Sequence, residues 1–83
     1  MLDRLLKSFD YRIERSERYL TTAKMEQNPC RREDLLCAAE LCGQAHIIQV
    51  IIHKEWDLSD DASRAERWHE LIGEIRDLWE VLP

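Results

Sequence analysis

The sequence predicts an all-α protein of three helices, in which a long antiparallel helical hairpin and a C-terminal helix form a single domain over residues 1–83. Three observations support this prediction. Apolar residues recur at spacings of three and four in the first and last thirds of the chain. An Asn-Pro pair at 28–29 and a Ser-x-x-Glu motif at 63–66 are typical of helix starts. With 83 residues, 45% of them hydrophobic, the chain is long enough for one core and too short for two.

The first helix is predicted over about residues 2–27. Its apolar positions step by four and three residues in turn, the heptad pattern of a helix that packs against another helix. The pattern ends near Lys24, and Asn28 is a good N-cap followed by Pro29, which suits the first position of a new helix. The heptad positions, of which only one is polar, are Leu2, Leu6, Phe9, Ile13, Ser16, Leu20 and Ala23.

The second helix is predicted over about residues 29–56, although Gly43 inside it costs about 1 kcal/mol relative to Ala. A helical projection places seven apolar residues on one broad face that we expect to meet the first helix. They are Cys37, Ala38, Leu41, Ala45, Ile48, Ile52 and Trp56. More apolar residues flank this face, so the helix is apolar nearly all round. The flanking residues are Leu36, Ile47 and Ile51 on one side and Leu35, Ala39 and Val50 on the other.

A helix that is apolar on nearly every side is normally central and covered by several neighbours. One hairpin partner covers too little of it, so we expect a homodimer, in which the second helix completes its burial in a dimeric helical bundle. The predicted dimer interface consists of Leu36, Ile47, Val50 and Ile51. A competing interpretation is a β-strand over residues 47–52, because five of these six residues are β-branched. Nothing else in the sequence resembles a partner strand, which favours the helix.

The third helix is predicted over about residues 60–82. Ser63 and Glu66 fit the S-x-x-E capping box, and Ser59 offers an earlier start. Beyond the cap, apolar residues again recur at spacings of three and four, flanked by Leu71 and Leu78. The repeating residues, which we expect to face the hairpin, are Ala65, Trp68, Ile72, Ile75, Trp79 and Leu82.

Several classes of protein are disfavoured. The longest strongly apolar run, residues 47–52, is far shorter than the roughly 20 residues that span a bilayer. The N-terminus lacks the continuous apolar stretch of a secretory signal, so we expect a cytoplasmic protein with no membrane contact. Cys30, Cys37 and Cys42 form no C-x-x-C pair and are expected to be packing residues.

The sequence contains no constellation that indicates catalysis. Its serines lie in helices or caps without a supporting His-Asp arrangement, and it has no glycine-rich phosphate loop. We therefore expect a protein that is not an enzyme and needs no cofactor. Glu66 and His69 have the Glu-x-x-His spacing of di-iron bundles, which need two such pairs. Cys42 and His46, one helical turn apart, are a weak alternative as metal ligands, because a structural zinc site requires four ligands.

Negative charge is concentrated in the last third of the chain. The net charge is -5 at pH 7, and residues 57–83 alone hold eight acidic and three basic residues. Because charge complementarity steers binding and Trp is enriched in interface hot spots, an acidic and aromatic helix is typical of a docking surface. We predict a non-catalytic protein–protein interaction module, such as an adaptor, a chaperone-like protein or an inhibitor, that binds a partner with a basic surface. The predicted contact residues are Asp61, Trp68, Glu70, Glu74, Asp77 and Trp79.

Two further interpretations stay open. A phage- or plasmid-type inhibitor would use the same acidic surface to occupy a basic nucleic-acid site of a host enzyme. A nucleic-acid binder would use a basic ladder around one aromatic ring on the first helix. The sequence pI of about 5.1 argues against nucleic acid as the partner. The residues of this ladder are Arg4, Lys7, Tyr11, Arg15 and Arg18.

Overall fold

The computed structural model describes residues 1–55 and 62–82, which form three α-helices: α1 (Leu2–Ala23), α2 (Arg31–Glu55) and α3 (Ala62–Val81). The all-α class is confirmed, since the described residues contain no strand and residues 47–52 lie inside α2. The strand interpretation is therefore wrong. α1 ends at Ala23 rather than near residue 27, and α2 begins at Arg31 rather than at residue 29.

The loop between α1 and α2 is organised by Asn28. Its side-chain oxygen accepts a hydrogen bond from the Cys30 N–H at 2.9 Å, which forms an Asx turn just before α2 begins. Its side-chain nitrogen donates to the Thr22 carbonyl at 2.9 Å and to the Asp34 carboxylate at 2.6 Å. Asn28 thus ties the end of α1 to the start of α2, as the Asn-Pro signal indicates.

The start of α3 differs from its predicted capping box. Within the described residues α3 runs from Ala62, so Ser63 lies inside the helix rather than at the N-cap position. The alternative start at Ser59 and the predicted end of α2 at Trp56 lie outside the described residues.

α1 and α2 pack side by side in opposite directions. Near the middle of both helices, the Arg12 guanidinium donates to Gln44 at 3.1 Å, and closer to the loop between them the Ser16 hydroxyl donates to the Ala38 carbonyl at 2.7 Å. The heptad prediction for α1 is confirmed at five positions, because Phe9, Ile13, Ser16, Leu20 and Ala23 are all buried.

α3 runs parallel to α1 and packs less closely than the hairpin helices pack on each other. The Arg64 guanidinium donates to the Asp10 carboxylate through two bonds of 2.9 and 3.0 Å near the start of α3. Lys24, just past the end of α1, lies 3.5 Å from Glu74 further along α3. The result is an up-down-up bundle of three helices.

The buried face of α2 is rotated from the predicted one. Ala38, Ala45 and Ile52 are buried as expected, whereas Cys37, Leu41 and Ile48 are only half-buried at the edge of that face. Two helices, not one, cover α2, so the centre of its buried face turns away from α1 and towards α3. The positions that this rotation buries instead are Leu35, Cys42 and Gln49.

The inward face of α3 is also displaced. Leu71 and Ile75 are its buried residues, so Leu71, predicted as a flanking position, lies at its centre. Trp79 faces α2 of the hairpin as predicted but is 44% exposed, so it lies at the edge of this face and not in the core. The half-buried residues that pack against the core from α3 are Trp68, Ile72, Leu78 and Leu82.

Candidate functional site

A groove between α1 and α3 collects most of the predicted acidic contact residues. We call it the acidic groove, and its charged walls are Glu17 of α1 and Arg67, Glu70, Glu74 and Asp77 of α3. Its volume is about 350 Å³, and it is open to solvent. The walls present four carboxylates against one guanidinium, so the groove has a net negative charge.

The one guanidinium in the acidic groove is already paired. Arg67 donates to the Glu17 carboxylate through two bonds, one of them 3.1 Å long, from Nε to Oε2. This hydrogen bonding raises the pKa of Arg67 above its ordinary value. Glu17 and Arg67 therefore neutralise each other in a geometry that fixes α3 against α1.

The other carboxylates of the acidic groove are less constrained. Glu74 lies 3.5 Å from Lys24, and Asp77 lies 3.8 Å from its neighbour Arg76, with all four side chains largely in solvent. Exposed pairs of this kind contribute little energy, so a ligand cation can replace them at low cost. Glu70 is exposed and has no ion-pair partner among the described residues.

The two predicted tryptophan anchors lie on the other side of α3, facing α2. The Trp68 indole N–H donates to the Cys42 carbonyl at 2.9 Å, and its ring stacks on His46 with centroids 4.8 Å apart. Trp68 is thus engaged within the bundle. Trp79 is partly exposed, with the Arg32 guanidinium 5.8 Å from its ring centroid.

The structure does not bring the predicted acidic and aromatic residues into one patch. Glu70, Glu74 and Asp77 border α1, whereas Trp68 and Trp79 border α2. The sixth predicted contact residue, Asp61, lies outside the described residues. Sequence reasoning missed Glu17 and Arg67 as groove residues, because a pair fifty positions apart on two helices leaves no local pattern.

A second surface is the outer side of α2, which neither α1 nor α3 covers. We call it the α2 face; its large apolar side chains are Leu36, Ile47, Val50 and Ile51, exposed by 56, 61, 52 and 44% respectively. The prediction that the chain does not cover these residues itself is confirmed. By length and composition alone, α2 is also apolar enough to cross a membrane, since its most apolar stretch has a mean hydropathy of 1.7. Core helices of soluble proteins share this property.

The basic ladder of α1 forms a third surface, since all five of its residues lie on the side away from the core. Arg15 lies over the rings of Tyr11 and Tyr19, with centroid distances of 5.8 and 5.9 Å. Arg18 donates to Glu14 at 2.8 Å. Two of its cations therefore have partners within α1, while Arg4 and Lys7 are exposed.

The weak metal alternative receives no support from geometry. Cys42 is fully buried, and burial raises the pKa of its thiol to about 11, which disfavours the thiolate that binds metals. His46 is exposed and stacks on Trp68. Among residues 1–55 and 62–82, no three His, Cys, Asp or Glu side chains are grouped so as to hold a metal ion.

The chain matches no protein-family model, no curated protein and no solved structure. The function of its surfaces is therefore inferred from their geometry and charge.

Proposed function

We propose that this protein is a non-catalytic interaction module that binds the basic surface of another protein in the acidic groove. The observation that carries the proposal is the composition of the groove walls, in which Glu70, Glu74 and Asp77 surround a Glu17–Arg67 pair that is already neutral. Glu70 has no ion-pair partner among the described residues, and the exposed pairs of Glu74 with Lys24 and of Asp77 with Arg76 are weak enough for a partner's cations to replace them.

The physical role of these carboxylates is to attract and orient the partner. A cleft lined by one sign of charge concentrates ligands of the opposite sign and raises the association rate. The net charge of -5 acts in the same direction. If the partner's basic surface is itself a nucleic-acid site, docking would block that site, and the protein would act as an inhibitor.

The test uses a lysine decapeptide as the probe, titrated into the protein by calorimetry at low and at high salt. The test variant is Glu70→Gln with Asp77→Asn, which removes two groove charges without changing side-chain size. The control variant is Asp3→Asn with Glu55→Gln, which removes two exposed charges near the end of the bundle away from the groove. We expect the groove variant to bind about fivefold more weakly or worse, from losses of up to about 1 kcal/mol per exposed pair.

The two variants separate local binding from a general effect of net charge. Wild-type affinity should fall as salt is added, and the control variant should bind within twofold or so of the wild type, because screened charges beyond about 10 Å contribute little. An equal loss of affinity in both variants would refute the groove as the binding site. Tighter binding of duplex DNA than of the peptide, abolished by Arg15→Glu, would favour the basic ladder of α1 instead.

A further inference from the structure

We propose that the α2 face binds the α2 face of a second copy of this chain, with the two helices antiparallel and crossing at Ile47. The acidic groove lies between α1 and α3, so this surface is separate from the one assigned to a basic partner. Three features of the α2 face favour this pairing: the spacing of its residues, the positions of its two charges and the glycine within it.

The α2 face has the pattern of a helix–helix seam. Apart from the adjacent pair Val50 and Ile51, its residues follow one another at spacings of three and four, so they form a single stripe along the helix. Every one of them is exposed. In chain order they are Leu36, Glu40, Gly43, Ile47, Val50, Ile51 and Lys54.

The charges on the α2 face are arranged to complement the same face turned end for end. Glu40 and Lys54 lie equal distances before and after Ile47, seven residues in each direction. A two-fold axis at Ile47 therefore places Glu40 opposite Lys54 of the partner subunit, and the symmetry makes this pair twice. In a parallel arrangement, Glu40 would meet another Glu40.

The same axis gives Gly43 a role that the isolated chain does not. A Cβ atom added at Gly43 would meet nothing within 4 Å, so the three-helix bundle itself does not require glycine there. Glycine inside a helix nevertheless costs about 1 kcal/mol relative to Ala. Gly43 lies four residues before Ile47, opposite Ile51 of the partner subunit, where a missing side chain lets a large one approach closely.

A lipid bilayer is the alternative occupant of an apolar face on a helix of this length and composition. Glu40 and Lys54 argue for the second copy, because acyl chains offer no partner for either charge, and each charge inserted at the bilayer centre is costly. A second copy supplies an opposite charge to both.

The experiment measures mass by light scattering and dissociation constants by sedimentation equilibrium. We expect the wild type to have twice the 9.9 kDa mass of the chain at micromolar concentration. Ile47→Asp should be monomeric with unchanged helicity, since the side chain is exposed in the single copy. The control Tyr11→Asp alters an equally exposed side chain on α1 and should remain a dimer.

Charge reversal tests the antiparallel register. Glu40→Lys and Lys54→Glu should each weaken the dimer about tenfold or more by placing like charges opposite each other twice. The double variant should recover wild-type affinity, and the two single variants should form a mixed dimer when combined. A wild type of 9.9 kDa at 100 µM or so would overturn the proposal, as would a dimer that neither reversal weakens.

The lipid alternative is tested on the same proteins with vesicles of mixed phosphatidylcholine and phosphatidylserine. We expect the wild type to stay in the supernatant when the vesicles are sedimented. Wild type that pellets with the vesicles, while Ile47→Asp does not, would assign the α2 face to a membrane and overturn the proposal. A wild type that does not bind the lysine peptide but has twice the mass of the chain would refute the groove proposal alone, so the two proposals fail separately.

Discussion

Replacing Ser16 measures how closely α1 and α2 pack. Ser16 is fully buried, and its hydroxyl donates to the Ala38 carbonyl at 2.7 Å. Ser16→Ala removes this bond but leaves no buried group unsatisfied, because the Ala38 carbonyl also accepts a bond within α2. The expected loss is about 1 kcal/mol in the free energy of unfolding. Ser16→Leu should cost roughly 1–3 kcal/mol or more, because it forces a large side chain against the α2 backbone.

Urea unfolding followed by far-UV circular dichroism measures both variants at one protein concentration, which removes any effect of self-association on the midpoint. With a denaturant slope of about 1 kcal/mol/M for a chain of this size, Ser16→Ala should shift the midpoint down by about 1 M. Ser16→Leu should unfold at a still lower urea concentration. A Leu variant as stable as the wild type would refute the close packing of α1 on α2 at this point.

Three further predictions concern other contacts within the bundle. Trp68→Phe keeps an aromatic ring but removes the N–H donor to the Cys42 carbonyl, so the free energy of unfolding, measured by urea unfolding, should fall by about 1 kcal/mol. An unchanged urea midpoint would count against a stabilising bond. Asn28→Ala removes the acceptor for the Cys30 N–H and should lower the free energy of unfolding by about 1 kcal/mol, measured by thermal unfolding. An unaltered melting temperature would show that the Asn28 side chain does not stabilise the start of α2. Burial raises the pKa of the Cys42 thiol from 9.0 to about 11, so the unfolded chain releases this proton first and stability should decline from pH 9 to pH 11. The decline should be smaller in Cys42→Ala, and identical pH profiles would contradict this reasoning.

The success of the sequence prediction differs between helices for a physical reason. α1 has a single apolar stripe, so only one rotation of the helix buries it, and five of its heptad positions are buried as predicted. α2 is apolar on nearly every side, and many rotations bury similar apolar area. Its heptad-like spacing therefore could not indicate that Cys42 and Gln49 would be buried while Cys37 and Leu41 would be only half-buried.

Some features of the candidate sites could likewise be predicted from the sequence, and others could not. The acidic character of α3 and the uncovered residues of α2 follow from composition and periodicity, and the structure places Glu70, Glu74 and Asp77 along one groove. The opposite wall, Glu17, depends on how α3 lies against α1, which no local pattern records.

The sequence by itself determined that this protein is helical, that its first helix turns one defined stripe inward, and that the chain turns at Asn28 and Pro29 between the first two helices. Those properties depend on neighbours within a few residues along the chain, through capping bonds and the helical repeat. Only the tertiary structure decided how far the buried face of α2 turns towards α3 and that the acidic residues and tryptophans of α3 face different helices. These outcomes depend on contacts between residues far apart in the chain, because the packing arrangement of lowest free energy is set by all three helices together.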